Sequence, residues 1–122
     1  AHWNHDFSNA ASQAFVQAFV KEYGRLPSIY AAQAYDTVMM MNAAVRDVKG
    51  ELDNKAALRA ALKKANFKSV RGEFKFGNNQ YPIQDYYLRT VGKDGQGRIT
   101  NRTLNRVFTN YQDTYATQCK LQ

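Results

Sequence analysis

The sequence predicts a chain of mixed α and β structure, three helices followed by two or three strands. Three observations predict it. Phe15, Phe19 and Tyr23 recur at helical spacing, with Val16 and Val20 beside them. Two further stretches carry the same period, one through Ala34, Val38, Met41, Val45 and Val48, the other through Leu58, Ala61, Leu62 and Ala65. Beyond Val70 the period drops to two, and Gly72-Glu73-Phe74-Lys75-Phe76 alternates polar and aromatic residues as a half-buried strand does. Strands do not alternate with helices as in a complete doubly wound domain, so the order by itself reads as α+β.

The elements follow in turn. Residues 1–7 mix His2, Trp3, His5 and Phe7 without a clear period. Ser8 or Asn9 can cap the first helix, because a short side-chain oxygen accepts a free N–H of the first turn. Gly24 stops that helix, since glycine readily takes the left-handed conformation. Arg25-Leu26-Pro27 is a connector, Pro27 holding Leu26 out of helical geometry, and Ser28 caps the second helix. Met39, Met40, Ala43 and Ala44 broaden its stripe, which predicts burial on more than one side. Gly50 ends it. Asp53 caps the third helix, whose outer face carries Lys55, Arg59, Lys63 and Lys64, the last two well placed near its C-terminus. Gly77-Asn78-Asn79 forms a turn, and 84–91, rich in aromatic and β-branched residues, forms a strand. Gly92, Asp94, Gly95 and Gly97 make a loop. A third, short strand falls near Ile99 or Val107, and a surface tail carries Phe108, Tyr111 and Tyr115.

The chain has 122 residues, one domain's worth by length, and is 44% hydrophobic and 22% charged, which is globular material. Its net charge of +7 raises a nucleic-acid-binding reading. Against that, Lys and Arg are scattered from Lys21 to Lys120, with no run longer than Lys63-Lys64. The single cysteine, Cys119, excludes an internal disulfide framework. No apolar run reaches membrane-spanning length, and the chain opens at Ala1 with no signal-peptide pattern. Catalytic chemistry finds no constellation. Both histidines lie at the opposite end of the chain from Cys119, and the glycines at 92, 95 and 97 precede no helix that could cradle a phosphate. His2, His5 and Asp6 lack a helix to align them as metal ligands. No cofactor is expected. The sequon Asn101-Arg102-Thr103 matters only in a eukaryotic secreted context.

Four motifs, in order, resemble one family. They are S-N-A-A-S-Q-A-F-V-Q-A-F from Ser8, Y-G-R-L-P-S-I-Y-A-A-Q-A-Y-D from Tyr23, L-R-A-A-L-K-K-A-N-F-K-S-V-R-G-E-F-K-F from Leu58, and Q-D-Y-Y-L-R-T-V from Gln84. Each is weak alone; their joint order and spacing are specific. Together they are similar to the type I periplasmic solute-binding proteins of the branched-chain amino acid (leucine/isoleucine/valine) type that serve ABC importers, over residues 1 to about 92. The tail, with D-T-Y-A-T-Q-C-K, is similar to members linked to aromatic solutes.

The resemblance implies an α/β fold, of which this chain is the C-terminal part of two lobes. It places residues 1–24 in the second lobe, 25–27 as a hinge connector, 28–84 in the first lobe, and 85–122 as a return strand and tail on the second. It implies a non-enzymatic periplasmic protein that captures a small carboxylate-bearing solute, a branched-chain amino acid or an aromatic acid. Its partners would be that solute, the missing N-terminal part of the same protein and the membrane subunits of an ABC importer, with no nucleic acid. Standing alone, the chain would bind solute weakly or not at all, since the family's usual carboxylate-binding Ser/Thr region is upstream.

Tyr30, just after Pro27-Ser28, matches a position where the family's aromatic packs against the ligand; otherwise it covers a helix N-terminus. Trp3 falls near where the family's preceding strand ends at the cleft; otherwise it is a core residue. Tyr35 reads as structural and Asp36 as a hinge or cap partner. The resemblance leaves Cys119 able to pair with a cysteine upstream. A ligand sensor of the same fold and a small basic nucleic-acid-binding protein remain the alternatives.

Overall fold

The structure, a computed structural model, describes residues 1–121. Three helices, α1 (Ala10–Tyr23), α2 (Ile29–Asp47) and α3 (Lys55–Lys64), precede β1 (Lys75–Phe76), β2 (Pro82–Lys93) and β3 (Ile99–Tyr111). The strands form one antiparallel sheet in the order β1-β2-β3. A short 3-10 turn at Ala116–Gln118 follows.

The caps explain the boundaries. Asn9, not Ser8, caps α1: its Oδ1 accepts from Ser12 N–H at 2.9 Å while its Nδ2 donates to Val70 C=O at 3.0 Å. Gly24 closes α1 at φ 65°, donating to Val20 C=O at 2.9 Å. Ser28 caps α2. That helix stops at Asp47, and Gly50, at φ 80°, turns its N–H back to Val45 C=O at 2.9 Å. For α3 the cap is Asn54, whose Oδ1 accepts from Ala57 N–H at 3.0 Å. The expected Asp53 lies one residue too early for its carboxylate to cap the first turn.

The core gathers Trp3, Phe15, Ala32 and Val70, with Phe7, Val16, Phe19, Ala31 and Tyr35 around them. Trp3 is 1% exposed and its indole N–H donates to buried Ser12 Oγ at 2.9 Å. Tyr35 is structural, its ring 4.6 Å from that of Phe15.

The expected stripe of α2 faces outward. Val38 is 63% and Met41 54% exposed, whereas the buried positions are Ala32, Asp36, Ala43 and Ala44. Small residues let α2 approach its neighbours closely, while Tyr35, Met39 and Met40 are half-buried and Val38 and Met41 stay exposed.

The strand region also departs from expectation. Only Lys75 and Phe76 of the predicted 72–76 strand pair with β2, because Ser69 to Gly72 is a turn with Gly72 at φ 93°. Gly92 lies inside β2, opposite Thr100. The short third strand is a long one that includes Phe108 and Tyr111. The hairpin turns at Asp94–Arg98, where Asp94 Oδ1 accepts from Gln96 and Arg98 N–H, both at 2.9 Å. The tail is pinned by Asn79 Nδ2 to Asp113 Oδ2 at 2.6 Å and Asn78 Nδ2 to Ala116 C=O at 2.7 Å. Cys119 is a half-buried free thiol.

Residues 1–6 cross the hairpin. Ala1 and Tyr87 exchange backbone hydrogen bonds at 2.7 and 2.8 Å. Asn4 Nδ2 donates to Asn101 C=O at 2.9 Å, and Asp6 accepts from Thr103 N–H and hydroxyl at 2.8 and 2.7 Å.

Trp3→Ala is expected to cost about 3–5 kcal/mol by removing a fully buried aromatic, measured by urea unfolding. Ser12→Ala, which strands the indole N–H, is expected to cost about 1–3 kcal/mol. Equal stability of Trp3→Ala and the wild type would contradict this core.

Candidate functional site

The N-terminal end of α2 faces a cleft of about 470 Å³ built from segments distant in sequence. His2 comes from the N-terminal segment and Gln33 from the second turn of α2. Tyr81 comes from just before β2, Gln84 and Tyr86 from its start, and Tyr111 and Asp113 from the end of β3 and just beyond it. The rings form a continuous wall. His2 stands edge-on to Tyr86 with centroids 6.4 Å apart, and Tyr86 edge-on to Tyr111 at 5.6 Å. Amides of Gln33 and Gln84 supply the polar groups, Gln33 Nε2 lying 3.5 Å from His2 Nε2.

A buried ionic network holds this wall from behind. Asp36, 1% exposed, accepts from Ser69 Oγ at 2.5 Å, Val70 N–H at 3.0 Å and Arg71 Nε at 3.0 Å. Arg71 stacks 4.6 Å above the Phe74 ring and donates through Nη1 to Gln84 Oε1 at 2.9 Å. Gln84 Nε2 in turn donates to Tyr86 Oη at 3.2 Å. A carboxylate on α2 thus fixes side chains on β2 through one arginine.

The same surroundings act on His2. Burial, then the charges of Arg71, the chain's amino group and Arg89, lower its pKa from the ordinary 6.5 to about 4, with Asp36 opposing. The imidazole is therefore neutral near pH 7, a hydrogen-bonding group without charge.

A larger groove of about 640 Å³ runs past Asp6, Asp85 and Arg106. Two of its carboxylates, Asp6 and Asp85, are already engaged. Asp85 accepts from Arg106 Nη1 and Asn110 N–H, both at 2.8 Å, and Asp6 from Thr103. For Asp6, burial pushes the carboxyl up, but the Thr103 and Asn4 hydrogen bonds outweigh it and hold it below the ordinary 3.8. That groove is an internal polar seam, less suited to a solute than the aromatic cleft.

The residues singled out by sequence separate here. Trp3 lies inside the core, 1% exposed, with its indole N–H donated to Ser12. Tyr30 is 77% exposed and stands one helical turn before Gln33, on the same face of α2, though it does not itself line the cleft. His2 and His5 diverge, His5 Nε2 lying 2.9 Å from Thr100 Oγ1, and no group of three His, Cys, Asp or Glu side chains converges among the described residues. Sequence reasoning missed Gln33, Gln84, Tyr86 and Tyr111. The i, i+3 spacing from Tyr30 points to Gln33, but the other three converge only through the sheet.

Residues 1–96 match the model of the periplasmic binding protein family. This chain belongs to that family. An ABC transporter solute-binding protein from R. palustris, solved in complex with benzoate, is 35% identical with a TM-score of 0.84, over 98% of this chain and 32% of that one. An ABC transporter substrate-binding protein from Sphaerobacter thermophilus is 28% identical with a TM-score of 0.81, over 91% and 30%. The leucine-binding protein LivK of Thermotoga maritima, 20% identical with a TM-score of 0.70 over 87% and 29%, shares the fold. None of the curated proteins matches. The α/β architecture is therefore a portion of the type I periplasmic binding protein fold, and the chain spans about a third of the length of these solved structures. Among the described residues no helix is long and apolar enough to cross a membrane.

The ionic network and the half-buried imidazole each have a measurable consequence. Asp36→Ala leaves the largely buried Arg71 without its ionic partner and is expected to cost about 3 kcal/mol, read by chemical denaturation. His2 has a folded pKa below its unfolded one, so the unfolded chain binds more protons between them. Stability therefore rises with pH from about 4 to 6.5 and loses this dependence above it. His2→Gln is expected to flatten that part of a melting-temperature profile; an unchanged slope would count against a neutral His2 in the folded chain.

Proposed function

We propose that this periplasmic binding protein chain is the C-terminal segment of an extracytoplasmic solute-binding protein. It works in the periplasm, captures a small carboxylate-bearing solute and hands it to the membrane subunits of an ABC importer, without catalysing a reaction. The observation that carries the reading is the cleft at the N-terminal end of α2, where four separate segments bring aromatic rings and amides to one place. Its rings suit an apolar or aromatic body, and its N–H groups suit an acceptor. An aromatic acid fits this lining better than a branched-chain amino acid. The amino acid's ammonium would need a carboxylate turned into the cleft, and the cleft's one carboxylate, Asp113, has each oxygen turned to another donor, Asn79 Nδ2 and Tyr115 N–H. The benzoate bound to the R. palustris protein supports the same choice.

The lobes divide, in this reading, into residues 1–24 and 85–122 on one side and 28–84 on the other, with 25–27 as a hinge connector. Tyr30, on the same face of α2 as Gln33, then meets the solute from the rim of the cleft, and closure around the hinge buries the solute. The outward stripe of α2, with Val38 and Met41 exposed, supports a further point. Apolar helix faces of this kind need a cover, and the similar structures are about three times as long. The upstream part of the same protein supplies that cover and the rest of the solute site.

Calorimetric titration with benzoate and L-leucine, on this chain and on the longer product of its gene, tests the proposal. The longer product is expected to bind benzoate more tightly than leucine, the isolated chain to bind either weakly or not at all, and Tyr30→Ala to weaken benzoate binding about tenfold. Failure of the longer product to bind any small carboxylate would overturn the reading.

A further inference from the structure

Resting on the solute-binding reading above, we infer that the Tyr86 hydroxyl is a hydrogen-bond donor to the solute, its direction set by the Asp36–Arg71–Gln84 relay. The relay starts at Arg71. A guanidinium has only N–H donors and never accepts. Asp36 holds its Nε at 3.0 Å and the Phe74 ring holds its plane, so Nη1 reaches Gln84 in a fixed direction. The Gln84 atom 2.9 Å from Nη1 must then be the carboxamide oxygen, because a flipped amide would set N–H against N–H.

That choice fixes the next one. With its oxygen on Arg71, Gln84 turns its NH₂ to Tyr86, 3.2 Å away. The phenol oxygen accepts, so its single proton points elsewhere. Among the described residues no protein acceptor takes that proton, and Tyr86 forms the cleft wall between His2 and Tyr111. The hydroxyl therefore presents an O–H to the cleft, polarised by a chain of hydrogen bonds that begins at a buried ion pair. The matching solute group is an acceptor, a carboxylate or an amide carbonyl. An ammonium in the same place has no lone pair and could not take that proton.

Gln84→Glu provides the test, because it keeps the shape and the Arg71 contact but removes the donor facing Tyr86. The phenol must then turn its proton onto the new carboxylate at position 84. In protein labelled with ¹³Cζ-tyrosine, the Tyr86 resonance, assigned by Tyr86→Phe, is expected to shift in Gln84→Glu; an unmoved resonance overturns the relay, whether or not any solute binds. Binding is measured with benzoate and neutral benzamide, on the form of the protein that binds in the titration above. Tyr86→Phe is expected to weaken both about tenfold, the worth of one good hydrogen bond. For benzamide, where charge repulsion is absent, Gln84→Glu is expected to cause a similar loss in the wild type and little further loss in Tyr86→Phe. Unaltered binding of both probes by Tyr86→Phe overturns the donor role. If the unsubstituted protein binds neither probe, the solute reading fails, and the tyrosine resonance still decides the relay.

Discussion

The buried carboxylate of Asp36 constrains more of this molecule than any other group. A charge removed from water is costly unless hydrogen bonds and an opposite charge replace its hydration. Asp36 meets that demand with a hydroxyl, a backbone N–H and a guanidinium drawn from one turn, Ser69 to Arg71. The turn is thereby clamped onto α2. Val70, carried between those two side chains, is delivered to the core against Trp3 and Phe15, and its C=O receives the amide of the α1 cap residue Asn9. One ionic site thus aligns α1, α2 and the approach to the sheet.

The same clamp reaches the cleft. Arg71 is shared between Asp36 and Gln84, so the start of β2 cannot shift without disturbing a nearly buried ion pair. Loops usually carry binding residues, and they need a rigid frame to be precise. Here the frame is a salt bridge and an aromatic stack, and Gln84, Tyr86 and Tyr111 inherit its order. The hairpin gains a second anchor from residues 1–6, whose polar side chains satisfy Asn101 and Thr103 on β3.

The chain leaves apolar surface unmatched. The α2 stripe and hairpin residues such as Ile99, Leu104 and Phe108 stand exposed. Structures of the same fold run to about three times the length, and in this chain α2 buries mainly its small residues and leaves Val38 and Met41 exposed. An amphipathic pattern reports that a face is to be covered, not by what.

Local elements are written into the chain directly. Helical periods, Asn9 and Ser28 as caps, Gly24 as a stop and the Asp94–Gly97 turn are set by interactions within a few residues, which is why three helices followed by strands could be read without coordinates. The family was legible for the same reason, as motifs in order. Long-range packing settles what local pattern cannot encode. The long β3 has no clean alternation because both its faces are largely exposed, so only its pairing with β2 defines it. Trp3 could line a cleft or fill a core, and its hydrogen bond to Ser12 on α1 commits it to the core. The cleft joins residues 2, 33, 84, 86 and 111, far apart in the chain and brought together by the sheet and the Asp36 clamp, so no spacing in the sequence announces it.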